Sequence, residues 1–553
     1  MSEYYDLGSH SRTVSTPSAD AQTWFDRGLL WCYGFNHEEA VRCFRKAVEH
    51  DERCAMAYWG TAYALGPNYN KAWEAFDEVE LPQAVKDAHA AATRALELAE
   101  GASDVERALV DALQRRYPSA HPTENCSIWN DDYASAMRDV YRAFPDDLDV
   151  ATLFAEALMN RTPWQLWDLT TGEPAAGADT REAAEVLERA LRDVEAGGGE
   201  PHPGLLHMYI HLMEMSPHPQ RALRAADQLR DLVPDAGHLR HMPTHIDVLC
   251  GNYHDVVVTN EKAIAADRKF LGHEGPLNFY SLYRCHDYHF KLYGAMFLGQ
   301  LGPALEAAEE MIANLPEELL QVESPPMADW LEGFVPMKMH VLVRFGRWQD
   351  IVDEPLPENG ELFCVTTAMN HYAKAVAHST RGQLDAAEKH RERFRQAVAR
   401  VPPTRYVFNN TCLDILAIAA EMMDGEVEYR KGDYDTAFAH LRRAVELDDN
   451  LPYDEPWGWM QPTRHALGAL LLEQGRVEEA EAVYRADLGL DGTLSRACQH
   501  PDNVWSLHGL HECLTRLDRM PEAQMLRQRL DLAAARADVP ITASCYCRLE
   551  RAA

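Results

Sequence analysis

The chain has 553 residues, 46% of them apolar and 25% charged, and a formal net charge of −34. So acidic a chain is repelled by nucleic acid and by anionic membrane surfaces, which excludes both as partners and leaves solubility as the plain consequence of the charge. At roughly 150 residues per domain its length would make three or four domains, unless internal repeats extend one architecture.

Residues 1–20 read as a polar N-terminal tail with neither the basic nor the apolar region of a secretory signal. No run of roughly 18 apolar residues follows anywhere, so the expectation is a cytoplasmic protein with no membrane span. The twelve cysteines show no framework spacing, which in a reducing compartment points to thiols, ligands or redox groups before structural disulfides.

Helical hairpins are expected over residues 21–200. Trp24, Gly28 and Trp31 share one helix, and after the turn at Gly34 the residues Ala40, Phe44 and Ala47 share the next. Large, small, aromatic followed by small, aromatic, small is the tetratricopeptide pattern, lacking here only the closing proline, whose place Glu52 takes. Ala57 to Gly60 opens a helix that stops at Gly66-Pro67. Helical periodicity runs again from Leu81 to Arg115, Tyr133 to Ala143, Leu148 to Asn160 and Thr180 to Glu195. Between the last two lies an aperiodic stretch with Trp164 and Trp167, which serves either as a packed plug or as a shelf for a ligand.

Residues 201–300 hold the densest chemistry: eight of the 25 histidines fall between His202 and His254. His207, His211 and Glu214 return to one helical face, a stripe of two imidazoles and a carboxylate. His241 and His245 repeat the four-residue spacing with His238 one turn upstream, and Pro243 predicts either a helix start at Met242 or a kink beside these histidines. His286 and His289 follow in an aromatic segment, with Tyr280 and Arg284 as candidate pocket residues or ordinary packing. Over residues 301–535 hairpins resume, most clearly from Val427 to Leu447, and a rigid aromatic segment from Pro452 to Pro462, containing Trp459, is expected to fold back onto the repeats. Residues 536–553 form a tail with Cys545 and Cys547, a candidate metal or redox pair. No strand-like alternation of any length appears, so the predicted fold is an all-α solenoid of tetratricopeptide type, strongly curved or closed around a central pocket.

The histidine core, with Gly237-His238, His241-Met242-Pro243, His245 and the turn Gly251-Asn252-Tyr253, resembles that of a group of microbial tetratricopeptide-repeat proteins. Trp59-Gly60, Pro163-Trp164, Glu455-Pro456 and Ser544-Cys545-Tyr546-Cys547 extend the resemblance over most of the chain. It implies a fold and no reaction.

The chemistry has to come from the side chains. Seven histidines, His207, His211, His238, His241, His245, His286 and His289, exceed the four donors of a structural zinc and suggest a dinuclear site or a set of ligands with supporting partners. Imidazole donors suit copper, iron or zinc. Glu214 is a further ligand or a general base, and Trp164, Trp167, Tyr280, Arg284 and Trp459 are candidates for contact with a small-molecule substrate. The sequence-level expectation is a metal-dependent oxidoreductase. A zinc-type hydrolase using Glu214, and a non-enzymatic scaffold that binds a peptide in its groove, are the alternatives. Oligomeric state has no signal in the sequence.

Overall fold

The computed structural model describes residues 4–549, and within them the regular structure is helical apart from one antiparallel pair of two-residue strands, Tyr406–Val407 with Asn410–Thr411. The fold is all-α and built of tetratricopeptide-like helical hairpins. No described helix is long and apolar enough to cross a membrane. The chain forms two compact units, Met1–Ile246 with Lys262–Tyr280, and Asp247–Glu261 with Ser281–Ala553. The unit boundaries fall inside the histidine-rich stretch of residues 201–300.

Unit 1 begins with the stretch expected to be a polar tail; of it, residues 1–3 lie outside the described residues. The rest packs down. Leu7 and Val14 are buried, Tyr4 donates to Glu39 Oε1 at 2.8 Å, and Arg12 reaches Asp147 at 2.8 Å and Asp149 at 2.9 Å. Isolated apolar anchors among polar neighbours leave no mark on average composition. Helices α1 (Ala19–Tyr33), α2 (His37–His50) and α3 (Ala55–Leu65) pack in succession, with Ser18 and Asn36 capping the first two through their side-chain oxygens. The Phe44 ring fills the space left by two glycines: a Cβ at Gly28 would lie 2.7 Å from it, and one at Gly60 2.4 Å. Helices α4 (Glu80–Leu98) and α5 (Asp104–Arg116) split the periodic run at Ala99–Gly101, where Ser103 and Glu106 form a capping box. Next come α6 (Ile128–Ala143), α7 (Leu148–Met159), α8 (Thr180–Gly197) and α9 (Pro203–Glu214), each against its predecessor, with α9 also against α1. The stretch after α9 forms a short 3-10 turn (Pro219–Ala222) and α10 (Leu223–Leu229). The next divides into α11 (Gly237–His241) and α12 (Pro243–Leu249), because Pro243 cannot donate to the turn before it but suits the first position of a new helix.

Unit 2 repeats the hairpin: Cys364–Thr380 with Leu384–Val398, Cys412–Lys431 with Tyr434–Asp449, Thr463–Glu473 with Val477–Asp487, and Val504–Arg516 with Met520–Ala534. The packing device of Gly28 and Phe44 recurs sixteen positions apart, as Leu441 closes on Gly425 and Tyr484 on Gly468. The segment from Pro452 to Pro462 is irregular, and buried from Tyr453 to Met460, with Trp457 Nε1 donating to Asp448 Oδ1 at 3.0 Å and Gln461 Nε2 to the His340 carbonyl at 3.0 Å.

Two histidines with buried ring nitrogens make stability pH-dependent. Burial pushes His37 in unit 1 and His340 in unit 2 down to about 3. Because these folded values lie below the unfolded value of about 6.5, the unfolded chain takes up protons first, and stability is lost as pH falls from about 6.5 toward 3. At pH 5 each imidazole is expected to cost about 2 kcal/mol. The urea midpoint should fall steeply between pH 7.5 and pH 5; a flat profile contradicts the burial of these rings.

Candidate metal centre

Helix α9 carries the stripe. All twelve of its residues are buried, so its polar side chains need partners inside the protein. His202 caps its N-terminus, accepting from the Leu205 N–H at Nδ1 (3.2 Å), which leaves Nε2 to donate to Asp149 Oδ1 at 3.0 Å. Gly204 lets α9 sit against α7 and α1, since a Cβ there would lie 2.7 Å from Thr152 and 2.8 Å from Tyr33.

Hydrogen bonds fix the ring nitrogens. His207 Nδ1 donates to the Tyr33 carbonyl at 2.6 Å, and His211 Nδ1 donates to Glu214 Oε1 at 3.0 Å. The Nε2 atoms of both rings are buried and have no hydrogen-bond partner. Burial pushes His207 well below the ordinary histidine range and His211 down to about 3, so both are neutral, the form that ligates metal. A metal-ligating histidine commonly donates its second nitrogen to a carbonyl or carboxylate, as here.

The stripe meets the second cluster. His245 Nδ1 donates to Glu214 Oε2 at 2.8 Å, so the carboxylate, which holds His211 of its own helix through Oε1, links α9 to α12 through Oε2, while burial pushes its pKa well up. With its Nδ1 protonated, His245 accepts at Nε2 from His241 Nε2, 2.8 Å away. Ring centroids run His207 to His211 (4.7 Å), to His245 (5.7 Å), to His241 (4.8 Å), to His238 (5.8 Å) and back to His207 (5.1 Å). Five imidazoles therefore close a circuit within unit 1. Donor atoms of His207, His211 and His238 lie within 4.8 Å of one another. Bonds of about 2.0–2.1 Å to one ion would hold donors about 3–4 Å apart, so binding would contract this trio by up to about 2 Å. His10, Asp149 and His202 also cluster, but the cap fixes the proton on His202 Nε2 and Arg12 already holds Asp149, so that group is a structural anchor.

Three aromatic residues wall the circuit, two of them missed by sequence reasoning. Phe35 and Trp164 are non-glycine residues at φ +55° and +60°, backbone that costs energy unless the surroundings enforce it. The Phe35 ring lies 4.5 Å from His207, 5.8 Å from His211 and 5.6 Å from His238. Trp164 and Tyr69 lie 5.7 and 4.9 Å from His211. A bulky ring directly after Gly34, where a turn calls for glycine, was the available signal for Phe35; Tyr69 had none.

Trp167 Nε1 donates to the Leu212 carbonyl at 2.6 Å, bracing the end of α9. Tyr280 Oη accepts from the His238 N–H and donates to Asp267 Oδ1, both at 3.1 Å, which positions α11. Tyr280→Phe should therefore cost about 1–3 kcal/mol in chemical denaturation; unchanged stability would show that the phenol holds nothing. His286, His289, Arg284 and Trp459 belong to unit 2. There His289 Nε2 lies 2.8 Å from Met460 Sδ, the His286 and His289 rings contact Phe408, Arg284 donates to Ser281, and Trp459 packs on His340.

No protein-family model matches the sequence, and neither does any curated protein. Among solved structures, yeast Tom70 aligns over 92% of this chain and 99% of its own at 12% identity and a TM-score of 0.28. Naa15/Naa10 bound to HypK-THB aligns over 93% and 70% at 14% identity and a TM-score of 0.21. Scores that low carry no argument about this chain, whose hairpin architecture rests on its own packing.

Proposed function

We propose that this chain is a tetratricopeptide-type metalloprotein in which His207, His211 and His238 hold one transition-metal ion and His241 with His245 flank a second. The observation that carries this reading is the pair of buried, neutral, partnerless Nε2 atoms on His207 and His211, each on a ring already oriented through Nδ1. An apolar core would have no use for such atoms; an ion would satisfy both. The resemblance to microbial proteins with the same histidine core belongs to this reading.

The reaction proposed is oxidoreduction of a small organic substrate held beside Phe35, Tyr69 and Trp164. Copper or iron would supply the redox chemistry. Glu214 accepts one imidazole N–H on each oxygen, so it orients His211 and His245 and is ill-placed to move a proton as the base of a hydrolase. Protein purified without a histidine tag should contain about one or more copper or iron ions per chain and absorb visible light in air. Zinc with no visible band would favour hydrolysis. Absence of metal after loading and dialysis, together with binding of an extended peptide, would leave only the scaffold.

A further inference from the structure

Within unit 2, Cys545 and Cys547 are joined by a disulfide, while the other ten cysteines are thiols. A cross-link spanning one intervening residue removes little freedom from the unfolded chain, so it is a poor staple. Its surroundings suit exchange. Cys545 is half-buried and Cys547 is 4% exposed, giving one reachable sulfur and one shielded behind it. The Cys547 N–H points at Cys545 Sγ, 3.2 Å away, a donor placed to stabilise negative charge on that sulfur. Two guanidiniums hold the segment by its carbonyls: Arg344 donates to Ser544 O, and Arg430 donates to Cys547 O. Ser544 is fixed further, with Oγ donating to the His465 carbonyl at 2.8 Å and meeting Tyr484 Oη at 2.5 Å. Both cysteines line a recess with Trp348, Tyr372, Trp459 and Gln461.

We propose that Cys545 and Cys547 form a thiol–disulfide exchange site for low-molecular-weight disulfides, with Cys545 as nucleophile and Cys547 as the resolving thiol. In the dithiol form the Cys545 thiolate attacks one sulfur of the substrate disulfide. A Cys545–substrate disulfide forms, and the first substrate sulfur leaves as thiolate. Cys547 gives up its proton to water and attacks Cys545 Sγ, which reforms the intrachain disulfide and expels the second substrate sulfur. Two electrons pass from the dithiol to the substrate, and each released thiolate takes up a proton according to its own pKa. Excess small thiol runs the same exchange in reverse and restores the dithiol. The N–H donor and the greater exposure of its sulfur make Cys545 the better thiolate. No residue of the histidine core takes part.

The test uses the full chain, reduced with dithiothreitol without denaturant, freed of reductant, and mixed with dithiobis-nitrobenzoate as the substrate disulfide. The wild type should release two thionitrobenzoates per chain in a fast phase and end as the intrachain disulfide by mass, at least about tenfold faster than the half-buried Cys250 thiol reacts. Cys547→Ser should release one and retain the adduct on Cys545; Cys545→Ser should lose the fast phase. Prior treatment with a chelator should change none of this, which separates the result from the metal reading. Failure of native reductant to open the disulfide overturns the proposal, as does a fast phase that survives in Cys545→Ser. Should a variant fail to fold, mass analysis of the wild type in graded glutathione buffers decides: a pair that stays oxidised throughout overturns it, and a two-electron transition supports it.

Discussion

His211→Ala should strip the protein of bound metal while leaving its helices intact. The ring supplies one donor of a trio, and its Nδ1 anchors Glu214, so the substitution removes a ligand and loosens the carboxylate that orients His245. A loss of at least about 100-fold in metal affinity is expected, with Glu214→Gln giving a smaller loss of about 10–100-fold because the ligands remain and only their support is weakened. Metal content after dialysis against a graded chelator separates the two. The exposed His50, changed to Ala, is the control and should lose nothing. If His211→Ala, folded by circular dichroism, keeps its metal, the circuit of imidazoles is not the binding site.

The second large effect concerns the fold. Phe44 is fully buried between two glycines that approach it too closely for any side chain, so the surrounding helices cannot collapse into the space it leaves. Phe44→Ala should cost about 3–5 kcal/mol, seen as a drop in the urea midpoint. Gly60→Val should be equally damaging from the opposite direction, because its Cβ would overlap the ring. A cost below about 1 kcal/mol for Phe44→Ala would mean that this hairpin packs loosely and that the glycine spacing has another origin.

What could be read from the sequence was local. Hairpins announced themselves through repeating large and small residues, and the stripe of His207, His211 and Glu214 needed only the pitch of a helix. Pro243 limited the second cluster to two outcomes, and its preference for a first helical position decides between them. What escaped was whatever depends on distant residues meeting. The acceptor that fixes His207 is a carbonyl 174 positions away, and a backbone carbonyl carries no residue type to notice. Glu214 could be named but not assigned, since its role turns on His245, 31 positions on. Cys545 and Cys547 were visible as a pair, whereas the arginines around them arrive from Arg344 and Arg430, two separate helices.

The interleaving of the two units has a consequence for how the protein is made. Unit 1 is not complete at Ile246; its last piece, Lys262–Tyr280, is translated only after a segment belonging to unit 2. At about 5–20 residues per second the ribosome therefore exposes all five imidazoles of the circuit for some seconds before it adds the tyrosine that seats His238. A nascent chain in that interval presents histidines without their final geometry, free to capture whichever cation is at hand. If the circuit holds an ion as proposed, loading would have to wait for Tyr280, and a stop or pause ahead of it would yield a chain with all five imidazoles present and the seat of His238 not yet formed.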